Sequence, residues 1–272
     1  MIELKDKPTE TSFRVPYTSC PLCGSKDIPL RRQESCAKRS LYDKRLPHEM
    51  NWHECQECNH FFTEGTWTKE ACDILFSRVH PEQDVGFDVE HQRYVSAEII
   101  DKVIRHLPPD YEDRTWLDIG FGSGNLLFTA AEYGFKPVGT DLRPATVEKM
   151  QSIGIDARCE DITELKLEHP AMVISMADCL EHMRDPKQAL EAARRLLRDD
   201  GALFLSMPNA GSPIWQFLDS QNQNPYWGEL EHYHNFTRER LNALLMETGF
   251  QPVNYGVSVR YRACMEIIAN AA

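Results

Sequence analysis

Thr115-Trp116-Leu117-Asp118-Ile119-Gly120-Phe121-Gly122-Ser123-Gly124-Asn125-Leu126-Leu127 runs from a short apolar segment holding an acid, through a loop with glycine at 120, 122 and 124, into an apolar helical pattern. This order specifies a buried strand, a turn tight enough to need residues without Cβ, and a helix whose first N–H groups face the turn. A helix start exposed in this way receives a polar or anionic group. Glycine spacing alone discriminates poorly, but two departures from the dinucleotide fingerprint G-x-G-x-x-G sharpen the reading. Asn125 leaves the third glycine one residue early, and Asp118 sits where a diphosphate would be repelled. Lys136-Pro137-Val138-Gly139-Thr140-Asp141 reads as the next strand, its terminal acid placed to accept hydrogen bonds from ribose hydroxyls. The expected ligand is a nucleoside with a cationic or zwitterionic tail.

Downstream, strands and helices alternate. A helix over 126–133 precedes the strand 137–140, and a helix over 145–152 precedes a short strand near 156–158. Ala171 to Met176 is continuous and apolar, as a central parallel strand should be. Pro186 opens a helix expected to reach Arg198, which Asp200-Gly201 should end before a strand over 202–207. A last helix over 238–248, N-capped by Thr237, precedes two strands around 253–259 and 263–268. The pattern predicts an α/β domain, a doubly wound and mostly parallel seven-stranded sheet with ligands at the strand C-termini.

Length bounds the rest: 272 residues suit one large domain and a small one. No apolar run approaches the ~18 residues of a membrane span, and Met1 to Thr11 is too polar for a signal peptide. The net charge is −12; residues 1–64 hold 10 basic and 10 acidic side chains, leaving 20 and 32 for the remainder. The acidic half repels phosphate backbones, which disfavours a nucleic-acid substrate.

Cys20-Pro21-Leu22-Cys23 and Cys55-Gln56-Glu57-Cys58 are two knuckles around a long insert. Each turn offers two thiolates, and Cys20, Cys23, Cys55 and Cys58 together make a tetrahedral set that suits a structural zinc. Reduced thiols place the chain in the cytoplasm. The insert carries Arg31, Arg32, Lys38, Arg39, Lys44 and Arg45, either a solvated face or a patch for an anionic substrate group. The chain divides into a zinc-ribbon-like domain (1–66), a helical connector (67–111) and a catalytic domain (112–272). In the connector, apolar positions from Val95 to Leu107 recur at helical spacing until Pro108-Pro109.

The stretch from Leu117 to Gly124 resembles the first motif of class I S-adenosylmethionine-dependent methyltransferases. Further matches are Asp141, Cys159-Glu160-Asp161-Ile162, the segment from Ala177 to Pro186 and that from Gly201 to Asn209, an ordered series within roughly 90–255. The resemblance implies S-adenosylmethionine as cofactor, held by Asp118, Gly120, Phe121, Gly122, Gly124, Asp141, Leu142, Asp161, Ile162 and Ala177. It also implies a connector helix packed over the cofactor, so that Arg93 and Tyr94 either touch the site or form a surface pair.

Asp178, Glu181 and His182 follow the central strand, where the transferred methyl should lie. Ubiquinone-pathway O-methyltransferases resemble this with a Glu-x-x-Glu-His motif able to hold a divalent cation, and Asp178 departs from it. Sugar C-methyltransferases with an N-terminal zinc module have a comparable Glu-His pair. His182 is expected to act as base, oriented by Glu181 or Asp178, unless the pair merely orders a loop. Trp227, His232 and His234 are expected to border the acceptor pocket, with loop aromatics as a lid; the histidines could instead join His182 at a metal. The expected reaction is methyl transfer to an oxygen or carbon nucleophile of a small molecule. The alternatives are an RNA or protein methyltransferase that reads its substrate through the ribbon, aminocarboxypropyl transfer or cyclisation from the same cofactor, and a binding protein.

Overall fold

The computed structural model describes residues 13–75, 84–109, 114–261 and 263–272. The segment Met1 to Thr11 lies outside the described residues.

The N-terminal third holds strands β1 (Arg14–Pro16), β2 (Leu30–Ser35), β3 (Glu49–Glu54), β4 (Phe61–Thr63) and β5 (Gly65–Trp67), followed by helices α1 (Lys69–Leu75) and α2 (Val89–Ile104). Then come β6 (Thr115–Ile119), α3 (Asn125–Glu132), β7 (Lys136–Thr140), α4 (Pro144–Ser152), β8 (Asp156–Arg158) and β9 (Ala171–Ala177). The chain closes with α5 (Pro186–Leu196), β10 (Leu197–Pro208), α6 (Pro213–Ser220), β11 (His234–Asn235), α7 (Arg238–Glu247), β12 (Phe250–Val257) and β13 (Cys264–Ala271).

Seven of these strands form one sheet in the order β12-β13-β10-β9-β6-β7-β8, parallel from β10 to β8, with β13 antiparallel to both neighbours. Strand alternation sorts the side chains onto two faces. Leu117, Ile119, Leu203 and Leu205 join a core with α5 and α7, whereas Trp116, Ala202 and Phe204 join another with α2, α3 and α4. The seven-stranded, mostly parallel sheet expected from the alternating pattern is present. One boundary moves: α5 ends at Leu196 rather than Arg198, because Leu197 already pairs with Ala171 and starts β10 five residues early.

The N-terminal part does not stand apart at residue 66. Its sheet has the order β11-β4-β3-β2, so the fourth strand, His234–Asn235, comes from the C-terminal half. Trp52 and Trp67 share a buried core with Trp215, Trp227, Leu230 and Tyr233, and the indole N–H groups of Trp52 and Trp67 donate to the carbonyls of Trp227 and Leu230 at 2.7 and 2.6 Å. On the other side Cys20, Leu22, Cys55 and Phe62 pack into the core that holds α5 and α7.

At the small sheet of β1 and β5, Pro16 lies opposite Gly65, whose carbonyl accepts from the buried Arg14 guanidinium at 2.6 Å. A Cβ on Gly65 would sit 2.2 Å from the Val15 carbonyl oxygen, backbone that cannot yield cheaply. Gly65→Ala is therefore expected to cost about 1–3 kcal/mol by overpacking and to lower the thermal midpoint by a few degrees. An unchanged midpoint in calorimetry would contradict this packing.

Candidate active site

The loop after β6 turns as expected. Gly120, Gly122 and Gly124 all have φ between 56° and 75°, and a Cβ on Gly120 would lie 2.6 Å from the Cys179 sulfur. The Gly120 N–H donates to the Thr140 carbonyl at 2.7 Å, and the Gly122 N–H to Asp141 Oδ2 at 3.2 Å, so the loop is tied to the end of β7. The connector closes over it: Gly86 N–H bonds to the Ser123 carbonyl, and the Asn125 amide to the Phe87 carbonyl.

Beside this loop opens a cavity of about 490 Å³ at the C-terminal ends of β6, β9 and β10. Asp118 is 3% exposed on its wall and accepts from Ser175 Oγ at 2.6 Å; that hydroxyl in turn accepts from the Trp116 indole. Burial, only partly offset by the Ser175 hydrogen bond, pushes its carboxyl up to about 7. A buried acid of this kind is completed by a cationic group. Gly120, Phe121, Gly122, Asn125 and Ala177 line the same wall, and Asn125 Oδ1 is buried there without a hydrogen-bond partner.

Asp141, Leu142, Asp161 and Ile162 lie off this wall. Asp141 is buried at the tip of β7, where Arg143 binds both its oxygens at 2.9 and 2.7 Å. Leu142 is 68% exposed, Asp161 accepts from Thr163, and Ile162 packs in the core. All four therefore sit beyond the loop from the cavity, at the tips of β7 and β8.

Asp178, Glu181 and His182 do converge in the cavity. Asp178 has a left-handed φ of 54°, and its Oδ2 lies 3.1 Å from Arg260 Nη1. Glu181 is 1% exposed, and burial beside Asp178 holds its carboxyl well above the usual carboxylate range. His182 Nδ1 lies 3.0 Å from the Glu231 carbonyl oxygen. A carbonyl only accepts, so Nδ1 carries the proton and Nε2 presents its lone pair. The orienting group is thus a backbone carbonyl rather than the carboxylate expected of Glu181 or Asp178; Glu181 Oε1 is 4.0 Å from Nε2, beyond hydrogen-bond reach. Burial pushes His182 down to about 4.

The remaining pocket residues divide. His232 lines the cavity with its ring edge-on to His182 at 4.7 Å, and one donor atom from each of Glu181, His182 and His232 falls within 4.8 Å of the others. His234 is fully buried away from it, and Trp227 is a core residue whose indole donates to Asp219 at 2.7 Å. Arg93 pairs with Glu132 on the outer surface and Tyr94 is 64% exposed, because α2 turns Gln92, Val95, Ser96 and Ile99 to the cavity instead.

Several wall residues carry no local sequence signal. Arg260 comes from the turn between β12 and β13, Glu229 from the long loop and Ser40 from the ribbon insert, whereas Tyr226 is one of the loop aromatics expected as a lid. Ser175 had one: it is the only hydroxyl in the apolar run 171–176. The insert's arginines are engaged, Arg31 with Glu54, Arg32 with Glu34 and Asp219, Arg39 with Glu229 at 3.8 Å and Arg45 with Asp43. Two of these pairs join the insert to the later chain, Arg32 to Asp219 on α6 and Arg39 to Glu229 at the cavity.

At the ribbon's tip the four cysteines assemble, with Cys20 and Cys58 sulfurs 3.6 Å apart and Cys23 and Cys55 sulfurs 3.5 Å apart. Four sulfurs at ~2.3 Å from a tetrahedral centre would stand about 3.8 Å from one another, so this donor set fits zinc with little adjustment.

Residues 90–255, more than half of the chain, match the methyltransferase domain family. Ubiquinone biosynthesis O-methyltransferases are 30% identical over 107 residues in Salmonella paratyphi A and 32% over 101 residues in Xanthomonas campestris pv. campestris. These alignments cover 36% and 34% of this chain and 44% and 42% of those enzymes, so the chain spans less than half the length of these relatives. Among solved structures, the 1,6-didemethyltoxoflavin-N1-methyltransferase of Burkholderia thailandensis with its substrate and S-adenosylhomocysteine superposes with a TM-score of 0.56 at 20% identity, covering 80% of this chain and 97% of that one. The magnesium protoporphyrin IX methyltransferase of Synechocystis with bound S-adenosylhomocysteine gives 0.52 at 18%, covering 68% and 84%. At these identities the likeness is one of fold.

The state of Asp118 yields a measurable coupling. On the reading that the cofactor's cationic tail comes to lie beside Asp118 and favours its carboxylate, affinity for S-adenosylmethionine is expected to rise roughly tenfold between pH 5.5 and 7, with proton release on binding. Calorimetric titration in two buffers checks this; a pH-independent affinity would contradict it.

Proposed function

Because this chain belongs to the methyltransferase domain family, we propose that it is an S-adenosylmethionine-dependent methyltransferase acting on an acidic oxygen or carbon of a small molecule, with His182 as the base. The observation that carries this reading is the Nδ1–H of His182 donating to the Glu231 carbonyl, which leaves Nε2 free to take a proton at the cavity. The bound cofactor supplies a methyl group on a sulfonium, open to in-line attack. The protein's part is to align the nucleophile and to remove its proton.

Magnitudes favour one acceptor class. An imidazole near 4 is neutral at physiological pH but a weak base. Against any one base, a phenol near 10 gives up its proton more easily than an aliphatic alcohol near the ~16 of water by about 6 pH units, or ~8 kcal/mol. A phenolic or enolic oxygen, or an activated carbon acid, therefore suits this site better than a sugar hydroxyl. The O-methyltransferases of ubiquinone biosynthesis among the relatives agree with such an acceptor. The acidic catalytic half continues to disfavour nucleic acid, and a cytoplasmic setting suits the free cysteines.

We read residues 112–272 as the catalytic domain, 67–111 as connector and 1–66 as a ribbon held by a structural zinc on Cys20, Cys23, Cys55 and Cys58. In the cofactor site, Asp141 would receive the ribose hydroxyls once Arg143 yields, and Asp118 would face the cationic tail. A second reading rests on the convergence of Glu181, His182 and His232, which could bridge a divalent cation. Transfer would then depend on added Mg²⁺ or Mn²⁺, a dependence the base reading does not share.

Two tests follow. With methyl-labelled S-adenosylmethionine and a panel of phenols, enols and sugars, label is expected in the phenolic and enolic acceptors. With such an acceptor, His182→Ala should lower turnover at least 100-fold, and wild-type turnover should hold to about pH 5 and fall as the pH drops through about 4. Full turnover in His182→Ala, or label in sugar hydroxyls alone, would overturn the reading. Metal analysis should further give one zinc per chain, lost in Cys55→Ser/Cys58→Ser; zinc retained in that variant would place it elsewhere.

A further inference from the structure

The segment Glu231 to His234 grips Glu181 to Met183 residue by residue. The His182 imidazole donates to the Glu231 carbonyl at 3.0 Å, the Tyr233 N–H to the Glu181 carbonyl at 2.9 Å, and His234 Nε2 lies 2.9 Å from the Met183 carbonyl. On its other side the same segment is part of the ribbon sheet: Tyr233 O accepts from Thr63 N–H at 2.9 Å, and His234 and Asn235 pair with Phe62 and Phe61.

One side-chain contact completes the bridge. His60 Nε2 lies 3.0 Å from His234 Nδ1, with the two rings stacked at 5.1 Å and both side chains fully buried. The Met183 carbonyl fixes the protons along this line. His234 must donate to it from Nε2, so His234 Nδ1 accepts, and His60 must donate from its own Nε2. His60 Nδ1 is then left buried with no hydrogen-bond partner, a cost the fold tolerates at a ring already wedged between Phe62 and Phe236. The His60 backbone also belongs to the cysteine knuckle, since its carbonyl accepts from Cys55 N–H at 3.0 Å.

We propose that His60 and His234 are positioning residues for His182: a directional chain of hydrogen bonds, His60 to His234 to the Met183 carbonyl, through which the ribbon fixes the turn that carries the reactive imidazole. This rests on the reading of His182 as base, and it gives the ribbon a catalytic purpose without contact with the reacting atoms. Burial alone would be satisfied by any ring of the right size at position 60. A directional chain needs a donor there.

The test reads His182 directly, in the full-length zinc-loaded protein, by long-range ¹H–¹⁵N correlation of ¹⁵N-histidine-labelled chain at pH 7. The wild type is expected to show His182 as a single Nδ1–H tautomer, with His60 and His234 as Nε2–H. His60→Leu should abolish the single Nδ1–H state of His182, giving exchange-averaged ring signals, while zinc content and affinity for S-adenosylmethionine stay unchanged. His60→Gln, whose amide can donate from a similar position, should restore it. Should His60→Leu fail to fold, His60→Met, unbranched and closer to the lost volume, carries the same expectation. An unaltered His182 tautomer in His60→Leu or His60→Met would overturn the proposal, and so would failure of His60→Gln to restore it. The base assignment fails separately, if His182→Ala keeps full turnover while His60→Leu still disturbs His182.

Discussion

The structure depends on a five-residue segment, 231–235, that is shared between two sheets' worth of packing. Its backbone adds a strand to the ribbon at β4, and its carbonyls, amides and side chains bond to the turn after β9. A segment buried this deeply is stable only if its backbone groups are largely paired, and here the partners come from residues 61–63 and 181–183, far apart in sequence. Ribbon and catalytic sheet are for this reason mutually dependent. Tryptophans 52 and 67 reinforce the same seam by donating to carbonyls of the long loop.

On the far side of the cavity the constraint is electrostatic. The acid at the end of β6 is buried against a serine and an indole-supported hydrogen bond, in surroundings that favour its neutral form. The glycine turn brings backbone N–H groups and the start of α3 to the same place. The site thus offers hydrogen-bond donors at the loop, a latent negative charge beneath it and a neutral imidazole across from it. That distribution suits a zwitterionic, positively charged donor facing a nucleophile that must lose a proton.

What could be read in the sequence was the chemistry carried by consecutive residues. The glycine turn, the acids at the tips of β6 and β7, the knuckles at 20–23 and 55–58 and the 178–182 cluster each declare themselves in a short window, because their geometry is set by local backbone. Residues placed by tertiary packing gave no such sign. Arg260 reaches the cavity only because the final hairpin folds across the end of β10, and Ser40 only because the insert lies over the long loop. Trp227 and His234 looked like pocket residues from their neighbours in sequence, yet the ribbon covers both. Arg93 and Tyr94 missed the cavity by one helical turn position, since the face of α2 that packs inward is set by Val95 and Ile99. A two-residue strand such as β11 has no periodicity to detect.

The interdependence of ribbon and catalytic turn can be measured most directly by amide hydrogen exchange on this chain before and after chelation of the zinc proposed at its four cysteines. The account predicts that loss of the metal deprotects residues 181–183 and 231–235 together with the ribbon, while β6 and β9 keep their protection. Exchange that rises in the ribbon and leaves 181–183 protected would contradict it.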